Sequence, residues 1–232
     1  MHRPPGIGMS VTPDLITVCV DRSNPPYVEE LNGELHGLSC ELVRRAFSHE
    51  GVEVQLLAAN GPLEQAIFLA TGRAEVAADL TITERRLRWF RFSHPYLVEE
   101  LQVLMRRHGR LWSGLERFEG IVGVKADSYA QEYLIRHHPR LRLLPLDTTE
   151  RLLEAVLDDR AQAAVLSRVT DLALTAHGRH PGLELRGAPF APAPLALAAL
   201  PEQAVVLEVF NRGLAAVGGG WEYLRLIEAA AS

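Results

Sequence analysis

The chain has 232 residues, 47% of them hydrophobic and 23% charged, with a net charge of −5. That is an ordinary globular composition, with room for one large or two modest cores. Both signs of charge are interspersed, which gives no basic patch for a nucleic acid and no polybasic amphipathic helix for a membrane surface, and no apolar run reaches the roughly 18 residues that span a bilayer.

The opening Met1-His2-Arg3-Pro4-Pro5-Gly6 lacks the apolar core of a signal peptide. Leu15 to Val20 predicts a short apolar strand. Asp21-Arg22-Ser23-Asn24-Pro25-Pro26-Tyr27 follows as a turn stiffened by two prolines. Asn32-Gly33 marks a tight turn between short extended pieces. Gly37 leads into a helix from about Ser39 to His49, with Leu42, Val43 and Phe47 on one face. Val52 to Leu57 is a second strand, and Pro62 to Thr71 a helix that opens on proline, a favoured first position. Glu75 to Ala78 is a third strand. Strand, helix, strand in this order predicts a parallel sheet with ligands at the strand ends.

Cys19 and Cys40, the only cysteines, fall on apolar faces of the first strand and first helix. Two buried thiols are expected rather than a disulfide. The nine histidines are scattered without metal-ligand spacing, so neither a metal nor a cofactor is expected.

Past the third strand the chain reads Asp79-Leu80-Thr81-Ile82-Thr83-Glu84-Arg85-Arg86. Thr83 is placed to cap a short helix, and Arg86 falls in its first turn. Free N–H groups, two threonine hydroxyls and a guanidinium together make a cradle for a carboxylate. The bland alternative is that Arg85 and Arg86 are solvated surface charges. After Arg86 and five further residues comes Phe92-Ser93-His94-Pro95-Tyr96. Then follow strands at Leu101 to Arg106 and at Gly120 to Val124, a loop and helix start at Lys125-Ala126-Asp127-Ser128-Tyr129, and a strand at Leu141 to Leu146. Thr148 to Leu157 is an amphipathic helix, and Ala161 to Leu166 a strand that ends at Ser167. Leu183 to Arg186 is a further strand, Pro192 to Leu200 a crossover, and Glu202 to Val217 a helix. Gly218-Gly219-Gly220 breaks that helix before a last one running to Ala229.

The order Thr-Ile-Thr-Glu-Arg-Arg, five residues, Phe-Ser-His-Pro-Tyr resembles the signature of family 3 extracellular solute-binding proteins, the type II periplasmic binding proteins of amino-acid ABC transporters. The likeness extends over residues 14 to 230. It implies an α/β, two-lobed fold, each lobe a mixed sheet flanked by helices, with a two-crossover hinge. Residues 1–98 and 197–232 would form lobe 1, and 99–196 lobe 2. By the same resemblance Arg86 holds a ligand carboxylate beside Leu80 and Thr81. Asp21 and Asn24 face the ligand from the first loop, and Ser128 and Tyr129 close on it from lobe 2.

Several positions depart from the family pattern. Asn24 and Gly61 stand where relatives carry aromatic rings; Tyr129 offers a replacement. Ser167 stands where relatives place the aspartate that binds an α-ammonium, and Gln162 replaces an earlier aspartate of the same strand. Asp21 and Asp79 are the carboxylates left to take over the ammonium. Because a buried unpaired ammonium is costly, ordinary α-amino acids are expected to bind weakly.

The functional expectation is a small carboxylate-bearing solute, an amino acid or a related compound, bound in a cleft that closes by hinge motion. The chain would be the monomeric, non-enzymatic binding component of an ABC importer, with the permease as partner and no nucleic acid, in the periplasm or outside the cell. Since no leader is visible, either it was removed, or the domain belongs to a longer membrane protein, or it is cytosolic. Two alternatives are an extracytoplasmic sensor domain of a receptor kinase-type protein and a cyclohexadienyl dehydratase-like enzyme. For the enzyme, Asp79 and Lys125 are the acid–base candidates.

Overall fold

The computed structural model describes residues 14–109, 112–170 and 180–218. Strand β1 (Leu15–Asp21) leads into a small antiparallel unit of β2 (Ser23–Asn24), β3 (Val28–Leu31) and β4 (Glu34–His36). The turn between β3 and β4 puts Asn32 and Gly33 at φ 55° and 82°, the left-handed pair that a two-residue hairpin requires. Helix α1 (Leu38–His49), β5 (Glu53–Ala59), α2 (Pro62–Ala70) and β6 (Val76–Thr81) follow. Both β5 and β6 pair with β1 in parallel, so the expected sheet forms. The side chains of β1 alternate between two apolar layers. Ile16, Val18 and Val20 pack with Phe47 of α1, while Cys19 turns to Phe68 and Leu69 of α2. Cys19 and Cys40 are both free and buried, and burial pushes both thiols up to about 12.

A two-residue strand β7 (Arg91–Phe92) precedes the long β8 (Leu97–Arg106). Next come β9 (Ile121–Lys125), α3 (Tyr129–His137), β10 (Arg142–Leu146), α4 (Thr149–Leu157) and β11 (Ala163–Ser167). Thr148 caps α4 and Ser128 caps α3, each accepting a hydrogen bond from a backbone N–H three residues on. These elements build a second pair of apolar layers. Leu101, Val103, Val122 and Leu134 form one, and Leu104, Leu152, Val156 and Leu183 the other. The molecule therefore has two lobes, each a sheet covered on both faces.

Strand β12 (Leu183–Ala199) returns to the first lobe and ends at α5 (Ala204–Ala216). The sheet order is β10-β9-β11-β8-β12-β6-β1-β5, with β7 on β12. Here the structure corrects the sequence reading. β8 begins at Leu97 and not Leu101, and Leu183–Ala199 is one bent strand and not a strand followed by a separate crossover. Proline donates nothing to a ladder, so an unbroken strand here needs irregular pairing. Pro189 and Pro192 fall inside two register shifts against β8, where Gly187 and Ala191 take positive φ. The lobes are joined by this antiparallel β8–β12 ribbon.

The expected capped helix at Thr83 is a single 3-10 turn, Arg86–Arg88; the Thr83 Oγ does accept a bond from the Arg86 N–H at 3.3 Å. The expected last helix lies outside the described residues. No described helix is long and apolar enough to cross a membrane, and no three described His, Cys, Asp or Glu side chains converge on a metal-sized site.

Helix α5 packs on α1 so closely that a Cβ at Gly213 would sit 1.9 Å from the Ala46 carbonyl oxygen. Gly213→Ala must push the helices apart and disturb the Phe47–Phe210 contact beneath them. The expected result is a loss of about 1–3 kcal/mol or more in denaturant unfolding.

Candidate functional site in the interlobe cleft

The C-terminal ends of β1 and β6 converge with β8 on one wall of a cleft, and the ends of β9 and β11 with the start of α3 form the other. Strand ends in open α/β sheets are where ligands sit, because strand pairing stops there and polar groups become available. The free volume there is about 60 Å³, against about 300 Å³ or more for usual small-molecule pockets.

Arg86 reaches into this cleft from the 3-10 turn. Its guanidinium donates to the Thr81 carbonyl at 2.9 Å and, across the cleft, to the Asp127 carbonyl at 3.2 Å. Two of its five N–H groups are thus held in place, which fixes the plane of the group. No carboxylate among the described residues lies within ion-pair distance. Burial lowers its pKa, and the nearby Glu99 and Glu132 raise it again. The guanidinium stays charged.

Glu99, on β8, is the partly buried carboxylate of the same wall. Its Oε2 accepts from the Thr81 hydroxyl at 2.8 Å. Burial raises its pKa, and the Thr81 hydroxyl, the Arg86 charge and the Ser167 hydroxyl pull it back down. No cation among the described residues lies within ion-pair distance of it. Ser167, at the end of β11, also meets the Tyr27 hydroxyl across the cleft at 3.3 Å.

In the same cleft, Asp21 Oδ2 takes the Lys125 ammonium at 2.5 Å. Asn24 lies beside it and accepts from Thr170 at 3.4 Å. Ser128 Oγ donates to the Lys125 carbonyl and caps α3, so its role in place is structural. Tyr129 lines the cleft edge-on to Tyr133, with its hydroxyl on the Ala191 carbonyl at 3.1 Å.

Asp79 sits in a left-handed conformation, φ 59°, at the rim of the first-lobe core. The Tyr96 hydroxyl clamps it, accepting from the Asp79 N–H and donating to Oδ1, both at 2.8 Å. Ser39 donates to the same oxygen at 2.6 Å, and Oδ2 is buried without a protein partner. Burial pushes this carboxyl up to about 6, with Ser39 and Tyr96 opposing the shift. A raised carboxyl favours the fold when protonated. Its contribution is complete below about pH 4 and is lost as the pH rises through about 6. Asp79→Asn should therefore flatten the stability profile over that window by about 2–3 kcal/mol, read from urea midpoints at pH 4 and pH 7.

The structure thus gathers Asp21, Asn24, Asp79, Thr81, Arg86, Ser128, Tyr129 and Ser167 around one cavity. It does not bring the Leu80 side chain there. Strand alternation turns Leu80 into the apolar layer with Phe68 and Leu69. Gln162 is also elsewhere, bonded to the Ile121 N–H and the Asp159 carbonyl. The sequence reading missed Glu99 altogether and gave Lys125 only an acid–base role. The available signal was the pair Glu99-Glu100 opening an otherwise apolar strand, since a charge within such a run needs a reason.

A sequence model of the bacterial extracellular solute-binding proteins, family 3, matches residues 16–223. Over 147 residues the chain is 31% identical to the membrane-bound lytic murein transglycosylase F of Pseudomonas putida KT2440; that stretch is 60% of this chain and 30% of the relative. The chain thus spans less than a third of the length of that relative. Among solved structures it resembles an arginine 3rd transport system periplasmic binding protein from Legionella pneumophila, with a TM-score of 0.84, 16% identity, and 93% of this chain and 98% of that one covered. A histidine kinase sensor domain with similarity to periplasmic binding proteins superposes with a TM-score of 0.81 at 24% identity, covering 93% of each chain. By its sequence the chain belongs to the bacterial extracellular solute-binding proteins of family 3, and by its architecture it has the two-lobed fold of the type II periplasmic binding proteins.

Proposed function

We propose that the cleft binds a small zwitterion, an α-amino acid or a close relative, with its carboxylate on Arg86 and its ammonium on Glu99. The observation that carries this reading is a pair of complementary charges in one cleft. A guanidinium with no carboxylate, and a carboxylate with no cation, within ion-pair distance among the described residues are both linked to Thr81. Each charge is costly to leave uncompensated in a closed cleft, and a zwitterion compensates both at once. Asp21 is engaged by Lys125 and Asp79 by Ser39 and Tyr96, so neither is needed for the ammonium. On this reading ordinary α-amino acids bind well, against the expectation of weak binding drawn from the sequence.

In this reading residues 1–98 and 197–232 form one lobe and 99–196 the other, hinged on the β8–β12 ribbon. Tyr129 and Ser128 approach the solute from the second lobe. The binding protein acts as a monomer in the periplasm or outside the cell and delivers its solute to an ABC permease. The arginine transport-system relative supports the importer role at the level of fold. A second reading, a recognition domain within a longer sensor or enzyme, is supported by the longer membrane-bound relative and by the kinase sensor domain. Solute uptake by proteoliposomes carrying the cognate permease separates the two readings.

The direct test is calorimetry with matched triplets: an α-amino acid, the same compound without its amine, and the same compound without its carboxylate. At least one intact amino acid is expected to bind at least about tenfold more tightly than either fragment, a margin of roughly 1.4 kcal/mol. Equal affinity for the amine-free acid would remove Glu99 from the reading, and no binding by any triplet would remove the reading itself.

A further inference from the structure

Beside the interlobe cleft lies a second cavity of about 310 Å³, at the lower end of the size range for small-molecule sites. Helix α2 supplies one wall. Leu63, Ala66 and Ala70 recur along it at helical spacing, and the two alanines are too short to fill the space before them. Leu80, whose side chain alternation turns away from the cleft, lines this cavity instead, with Leu200 just past β12. Trp89, at the end of the 3-10 turn, borders it. Leu63 and Trp89 are 58% and 68% exposed. A concave apolar surface with a polar rim is a feature of binding grooves, unlike apolar residues scattered singly.

The charges at its border cancel. Arg85 and Arg86 come from the first lobe, Asp127 and Glu132 from the second. Arg86 donates to the Asp127 carbonyl, and Glu132 accepts from the Thr83 hydroxyl at 3.2 Å. A charged guest would gain from one pair and lose to the other while giving up its water; an uncharged guest gives up far less. We infer that this cavity is a second ligand site, separate from the cleft, for a small uncharged aromatic molecule. The Trp89 indole offers it a ring to stack on. Because residues of both lobes border the cavity, an occupant that fills it touches both, and it favours this arrangement of the lobes by those contacts. A solute that also needs both lobes is then coupled to it, each ligand raising the affinity of the other. The coupling rests on the cleft being the solute site; the pocket itself does not.

The test uses tryptophol as the uncharged probe, with tryptamine and indole-3-acetate as cationic and anionic counterparts on the same ring. Calorimetry should show saturable tryptophol binding at one site per chain. Ala66→Phe and Ala70→Phe put a ring into the cavity, and each should weaken that binding at least about tenfold. Leu31→Ser, which removes an exposed leucine elsewhere, should leave it unchanged. In competition each charged counterpart should bind the same site at least about fivefold more weakly than tryptophol. No saturable binding, or binding untouched by both ring insertions, overturns the pocket. Equal or tighter binding of either charged counterpart at that site overturns the assignment to uncharged ligands. Self-association of the wild type that tryptophol does not reverse and Trp89→Ala abolishes would give the face to a second copy, and overturns the pocket too. Ala70 is exposed, so Ala70→Phe decides should Ala66→Phe not fold. Saturating tryptophol should raise the affinity of a cleft-bound amino acid at least about fivefold, and the amino acid should raise that of tryptophol by the same factor. A factor of one overturns the coupling. Tryptophol binding is measured without any amino acid, so its failure is distinct from a failure of the zwitterion reading.

Discussion

Arg86→Ala should cost the solute about 3 kcal/mol or more, a loss of two orders of magnitude or more in affinity, with the fold retained. The guanidinium is held by two carbonyls, one from each lobe, so its plane is set before a carboxylate arrives. A preorganised bidentate donor loses little freedom on binding, which concentrates the binding energy in that one group. Its removal also takes away the Asp127 link across the cleft. The first effect acts on the bound state alone. The unliganded fold loses only two hydrogen bonds to neutral carbonyls, each worth about 1.5–3 kcal/mol when charge-assisted, and part of that is regained from water. Arg85, exposed on the same turn, is the control, and Arg85→Ala should change affinity by less than about 0.5 kcal/mol. Calorimetry on the two variants makes the comparison, and equal losses would return Arg86 to the status of a surface charge.

The elements around Arg86 were legible in the sequence because their signals are local. A β-branched run gave β1, a proline opening gave α2, and Thr148 gave the start of α4. Asn32-Gly33 predicted its own turn. What sequence could not give was the partner of each charge across the cleft. Asp21 and Lys125 stand 104 positions apart, and nothing local tells either of the other. Gly61 looked like a lost side wall; in the structure it is the space along which the Lys125 stem runs. Glu99 was missed for a different reason. The sequence reading began β8 at Leu101, so Glu99 fell outside it. Once β8 starts at Leu97, Glu99 becomes a strand residue opposite Ala193, at the point where the two lobes meet. Asp79 was assigned by its neighbourhood to Arg86, and there the missing fact was Tyr96. Its ring packs on Phe210 in the core, and its hydroxyl comes back to claim the carboxylate.

Glu99→Gln should separate the two charges of the solute. For an amine-bearing solute the ammonium would face a neutral amide, and affinity should fall by about 2–5 kcal/mol, as expected when one partner of a buried charge pair is removed. For the matched acid without an amine, affinity should hold or improve, since Arg86 no longer competes with a neighbouring anion. A second substitution, Ser167→Asp, places a carboxylate on the neighbouring strand and should restore amine binding in the Glu99→Gln background. The proton balance gives an independent readout. Burial raises the Glu99 pKa in the fold, so its contribution to stability is greatest below the ordinary carboxylate range and is lost as the pH rises through the raised value. Binding an ammonium acts in the opposite sense, because it favours the ionised carboxylate and lowers that pKa. Solute binding should therefore release a proton and weaken on acidification, beginning at a higher pH than a free glutamate would titrate. Calorimetry in two buffers of different ionisation enthalpy measures that release. It should vanish in Glu99→Gln and persist in Asp79→Asn, since in the proposed pose the ammonium sits on Glu99. Undiminished amine affinity in Glu99→Gln, with the proton release intact, would place the ammonium elsewhere in the cleft.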